Sequence, residues 1–210
     1  MQIQQLLLLC GVIAGPLFVV IFLVEGFLRS GYNALRQPVS SLALGERGWI
    51  QRTNFIVTGA LMLACAFGLH SALVAYSGSF WGSLLIGIYA VCLVAAGIFV
   101  TDITGIPGTA VPRAQRGIHG RLHDLFSLIV FVALFADCFV FHQLFAASGN
   151  YGWAIYSATA GILFGIGFVL FAYGFATSGK LASIAGLLQR LTIAIGWIWI
   201  ALVAMHLLGA

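Results

Sequence analysis

Asp102, His119 and His123 are the residues of this chain best suited to chemistry. They bound a short segment that holds one carboxylate, three arginines, two prolines and the pair His119-Gly-Arg-Leu-His123 between two long apolar runs. Two histidines four apart on a helix lie about 40° out of register, so both imidazoles project from one face. Such a pair can seat one metal ion, and Asp102, ending the preceding helix, can supply a carboxylate as third ligand. A divalent metal there, zinc or a similar ion, would activate a bound water for hydrolysis at the level of the lipid headgroups. Ser41 joins Asp102, His119 and His123 as a catalytic candidate, with Ser40, Glu25 and Asp124 as further groups able to complete the site. The competing reading is structural. Position 120 is Gly, so the zincin pattern with Glu beside the first His is absent, and a His pair at a helix start can hydrogen-bond Asp102 to hold two helices together. A headgroup-binding or proton-relay role is the third reading.

A second set of polar groups lies at the opposite ends of the same apolar runs. His70, His142 and His206 could hold haem or copper, or serve as interfacial polar residues; no Cys-x-x-Cys-His attachment site accompanies them. Asp137 falls in mid-run, 18 residues or five helical turns from His119. A carboxyl group inside a membrane span is by default functional or helix-pinning. Pinning is the expectation, with protonation as the other way to avoid the charge.

The elements that must carry these residues are membrane helices. A mean hydropathy of +1.11, with 62% hydrophobic and 7% charged residues, leaves too little polar surface to coat a soluble globule. A helical span needs roughly 20 mostly apolar residues, and six runs qualify: 4–26, 53–76, 80–101, 119–146, 151–176 and 184–208. The runs are apolar all round and lack the alternation of barrel strands. The expectation is an all-α, polytopic six-helix bundle forming one transmembrane domain over residues 1–210. No Lys or Arg precedes the first run, which continues past a typical signal core and is expected to be a retained helix. Cys10, Cys65, Cys92 and Cys138 sit in different runs without paired spacing, as small packing residues do.

The net charge of +4 does not point to nucleic acid, because all nine Lys and Arg flank the first, third and fifth connections. That split places the odd connections in the cytoplasm and both termini outside the plasma (inner) membrane. The even connections, Tyr76–Phe80 and Ala147–Asn150, are tight Ser-Gly turns, so helices two and three, and four and five, should form antiparallel hairpins. Gly161 and Gly165, four apart, let helices approach closely. Trp49, Trp81, Trp153, Tyr76 and Tyr151 fall near run ends as an interfacial belt. Membrane lipids are the expected surroundings; oligomeric state and partner subunits stay open.

Several motifs together resemble a known family, the six-span bacterial and archaeal membrane proteins termed domain of unknown function 998. They are Gly15-Pro16, Ser41-Leu42 with Gly45 and Trp49, Asn54-Phe55 with Gly59, Asp102-x-x-Gly105-x-Pro107-Gly108, His119-Gly120-x-Leu122-His123, Gly152-Trp153 with Tyr156-Ser157, and Gly186-Leu187-x-Gln189-Arg190. Ile103 stands where a proline often follows the aspartate, and His206 where an arginine is common. The resemblance implies a six-helix fold in a bacterial plasma membrane and supplies no established activity. Ser41, Asp102, His119 and His123 at one membrane face also resemble the metal-dependent membrane hydrolases of the alkaline ceramidase type, with a third histidine ligand missing and one span too few. Two function classes follow: an uncharacterised membrane protein binding a lipid or small molecule at this polar cluster, and a metal-dependent hydrolase of a lipid or amphiphile. A small transporter is a third.

Overall fold

A computed structural model of the chain describes residues 2–74, 79–102 and 117–209. The described residues form six long helices and no strand: α1 (Ile3–Leu28), α2 (Gly48–Ala72), α3 (Ser79–Ile98), α4 (Ile118–Ala147), α5 (Tyr151–Ala176) and α6 (Ala185–Leu208). All six are long and apolar enough to cross a membrane. Short 3-10 turns, Val39–Ala43 and Ala182–Ile184, lie in the first and fifth connections. Thr104, Gly105, Pro107, Gly108, Arg113 and Arg116 of the third connection, and Tyr76 of the second, lie outside the described residues.

Each helix packs against the next, and α6 returns to α1, so the six form a closed ring. Only one stripe of each helix faces inward. The outward stripes are also apolar, with Val20, Phe67, Ile162, Ile166 and Val169 more than half exposed, which suits a surface solvated by lipid chains rather than water. The interior is filled by aromatic and aliphatic side chains, among them Phe18, Phe22, Met62, Phe141, Trp197 and Trp199. The indole Nε1 of Trp199 donates to Ser157 Oγ at 3.1 Å, satisfying two buried polar groups at once. Close approach depends on missing side chains. A Cβ at Gly59 would stand 2.6 Å from Val94 Cγ2, and one at Gly165 would stand 2.6 Å from Phe135 Cε2. The spacing of Gly161 and Gly165 thus serves contact between α5 and α4 within the bundle.

Two run boundaries differ from the helices. The second apolar run was expected over 53–76, but α2 spans Gly48–Ala72. Its first two turns carry Gln51, Arg52, Thr53 and Asn54, which hide the helix from a hydropathy reading although Gln51 and Asn54 are buried inside the bundle. The third run was expected to reach residue 101, and the helix ends at Ile98. The turn joining α4 to α5 is tight, as expected: Gly149 takes φ +76, a left-handed conformation that favours glycine, and Asn150 N–H donates to Phe145 O at 2.8 Å.

Candidate functional site

Consecutive antiparallel helices bring the first, third and fifth connections to one end of the ring, and the described Lys and Arg residues all belong to that end. The first connection is fastened there by α6. Arg190, only 8% exposed, donates through Nη1 to the carbonyls of Ala34 at 2.7 Å and Gln37 at 2.9 Å, and to Gly186 O of its own helix at 2.8 Å. Its Nη2 reaches the Tyr32 hydroxyl, which donates to Pro38 O at 3.0 Å. Burial pushes the Tyr32 phenol above its ordinary pKa, against the pull of the Arg190 charge beside it. One residue earlier, Gln189 Oε1 accepts the Val39 N–H at 2.9 Å. The Leu187 N–H donates to Leu35 O at 3.1 Å, and a Cβ at Gly186 would meet Gln37 O at 2.5 Å. On the other flank, Glu25 of α1, 2% exposed, holds Arg29 at 2.7 Å and Arg47 at 2.6 Å, and Arg29 Nη1 donates to Leu44 O at 2.8 Å. Glu25 therefore anchors the connection's two ends.

The sequence candidates separate once placed. His123 is 2% exposed. Its Nδ1 lies 2.9 Å from both Ala96 O and Phe99 O; carbonyls only accept, so Nδ1 carries a proton and Nε2 is left for another partner. His123 thus ties α4 to the end of α3 through main-chain carbonyls, where the structural reading expected Asp102 as the partner. His119 is exposed, its ring 5.7 Å from that of Phe99. Asp102 packs on the first turn of α4, where a Cβ at Gly120 would overlap its carboxylate. This explains the glycine between His119 and Arg121, and a carboxylate suits the positive end of a helix dipole. Ser41 Oγ donates to Pro38 O at 2.7 Å, inside its own turn. Among the described residues, no three of His, Cys, Asp and Glu gather as a metal-ligand set. Asp137 and His119, five turns apart on α4, meet different surroundings: Asp137 is fully buried and His119 exposed.

At the other end, the three histidines have separate partners. His142 Nδ1 lies 3.0 Å from Ala154 O, and His70 Nδ1 lies 3.3 Å from Ser83 Oγ. His206 Nε2 lies 3.0 Å from Asn150 Nδ2, its ring stacked on Trp153 at 4.4 Å.

A cavity of about 480 Å³ lies in the basic half of the ring. Its wall is aromatic: Phe131 of α4 faces Phe164, Phe168 and Phe171 of α5 with ring centroids 5.1 to 5.7 Å apart. Trp197 and Tyr89, 5.6 Å apart, lie at its deep side near mid-span. Toward the basic end the lining becomes polar, with Ser40, Thr101, His123, Asp124, Ser127 and Gln189. It reaches the surface between the basic-end turns of α4 and α5, where exposed Asp124, Leu128 and Ala176 belong to its lining. Of the sequence candidates it gathers His123, with Ser40 and Asp124; Asp102, His119 and Ser41 do not line it. Thr101, Ser127 and Gln189 carry no signal as site residues in the sequence, being neutral and far apart along the chain. Gln189 and Arg190 had appeared only in a motif and as a topological charge.

No curated protein and no solved structure matches the chain. The spans of α2 to α5, the polar-ended cavity and the motifs that build its rim all fall within residues 12–206, which match the family described as Protein of unknown function (DUF998), and the chain belongs to that family.

Proposed function

We propose that this membrane protein binds an amphiphile, with the apolar chain among the cavity's phenylalanines and the polar end at the rim formed by His123, Ser127 and the first connection. One observation carries this reading: a single cavity has an aromatic wall at mid-span, a polar basic end and an opening between two helices that face lipid. Its volume of about 480 Å³ falls in the ordinary range for small-molecule sites, about 300–1,000 Å³. A ligand entering between α4 and α5 need not leave the membrane. The hydrolase alternative would draw its metal ligands from Asp102, His119 and His123, yet His123 Nδ1 already serves two carbonyls and His119 faces outward.

Tryptophan quenching by a brominated chain tests the reading, because Trp197 borders the cavity. Titrating the purified protein in amphipol with dibromostearoyl monoacylglycerol is expected to give saturable quenching. Ala172→Phe, which places a ring into the cavity from α5, is expected to abolish the saturable part while leaving the unfolding temperature unchanged. Non-saturable quenching that Ala172→Phe leaves intact would falsify ligand entry.

The basic end faces the cytoplasm in this proposal, since Arg29, Arg36, Arg47, Arg52, Arg121, Lys180 and Arg190 all lie there. In a background freed of its four cysteines, Ser148→Cys should react with an impermeant maleimide added to intact cells, and Lys180→Cys only after lysis. The opposite pattern reverses the orientation.

A further inference from the structure

Hydroxyl groups packed inside this bundle are almost all hydrogen-bonded to the protein. Thr58 donates to Asn54 O, Ser83 to Phe80 O and Thr192 to Leu188 O, and Ser157 accepts from Trp199. That is the expected state, since an unpaired polar group away from water is costly. The cavity is the exception. Ser40 of the first connection, Thr101 beyond α3 and Ser127 of α4 line its polar end, and among the described residues their hydroxyls make no hydrogen bond. Thr101 is 8% exposed, so its hydroxyl has little to face except the cavity. Two more groups join them: Nε2 of His123, since Nδ1 is taken, and the amide nitrogen of Gln189, whose oxygen already accepts from Val39. A further unpaired hydroxyl, that of Tyr89, lies deeper beside Trp197.

The hydroxyls and the Gln189 amide are uncharged and of mixed polarity. His123 offers its Nε2, the Gln189 amide a donor, and each hydroxyl either a donor or an acceptor. Among the described residues no Lys or Arg lines the cavity. A phosphate or carboxylate head would have to shed water against such a wall with no cation among the described lining residues to replace it, which is costly. A hydroxyl that donates and accepts at once fits every group present. We infer that the ligand's polar end is an uncharged, hydroxyl-bearing head of the glycerol or fatty-alcohol kind, held by Thr101, Ser127, Ser40 and His123 Nε2. This rests on the amphiphile reading of the cavity.

The test compares three heads on one dibromostearoyl chain: a glycerol ester, a lysophosphatidate and a primary amine, each read by saturable tryptophan quenching. The glycerol ester is expected to bind at least about tenfold more tightly than the phosphate. Ser127→Ala and Thr101→Val should each weaken it by about three- to tenfold, the loss of one hydrogen bond. Neither should change the phosphate's affinity or the unfolding temperature, because neither hydroxyl has a hydrogen-bond partner among the described residues. Free glycerol should not displace the bound ester. Equal affinity for all three heads, still abolished by Ala172→Phe, overturns the head assignment and leaves the cavity reading standing. Preference for the amine overturns the uncharged assignment, and displacement by free glycerol reassigns the site to a water-soluble polyol. Absence of saturable quenching with every head overturns both readings.

Discussion

Arg190→Leu is expected to lower the unfolding free energy by about 3–5 kcal/mol, the loss of several hydrogen bonds from one charged donor with their acceptors left unpaired. Three carbonyls and the Tyr32 hydroxyl converge on this guanidinium, and its plane also lies 5.4 Å from the Tyr32 ring and 5.9 Å from that of Phe22. Leucine fills part of the space and satisfies none of the oxygens. Arg190→Lys should recover less than half of the loss, because a single ammonium cannot span acceptors that a planar fork reaches together. Reversible unfolding in mixed micelles gives the free energies, and proteolysis between Arg29 and Arg47 reports whether the first connection has come loose. A cost below about 1 kcal/mol for Arg190→Leu would mean that the connection is held by its apolar contacts and the Glu25 pair alone.

The same clamp marks how far the sequence could be read. The six helices were legible because an apolar run of bilayer length has few alternatives, and the outward faces keep that signal strong even where the inward faces turn polar. The start of α2 was not legible, since Gln51 and Asn54 lower the local hydropathy while pointing inward. Arg190 was legible as a charge and as part of the segment Gly186-Leu187-x-Gln189-Arg190. Its task was hidden, because the partners are main-chain oxygens more than 150 residues away in sequence, and carbonyl positions carry no signature. His123 shows the same limit. Its pairing with His119 suggested ligands on one face, yet its proton goes to the carbonyls that end α3, and only the fold reveals where that helix stops. The cavity's polar end was the least legible of all: Ser40, Thr101, Ser127 and Gln189 are ordinary residues, brought together from three helix ends and a loop by ring closure.

Asp137 leads to a result of the opposite sign. The sequence suggested that this carboxyl pins helices, which would make Asp137→Leu destabilising. The structure corrects that expectation: Asp137 is 0% exposed, and neither carboxylate oxygen has a hydrogen-bond partner. A buried polar group left unmet costs about 1–3 kcal/mol, and replacing it by an apolar residue removes the cost provided that the side chain fits. Asp137→Val is therefore expected to raise the unfolding free energy by about 1–3 kcal/mol, whereas Asp137→Asn, which keeps two polar ends without partners, should gain little. Unfolding of the three proteins in mixed micelles compares them directly. If Asp137→Val proves less stable than the parent, the carboxyl is satisfied by a bound water and belongs to the packing after all. If it is more stable, the chain retains a destabilising acid at the centre of a membrane bundle. Since ionisable groups at that depth tend to be kept for function, the saturable quenching at Trp197 should then be measured in the same variant, to learn whether the acid acts on the cavity or apart from it.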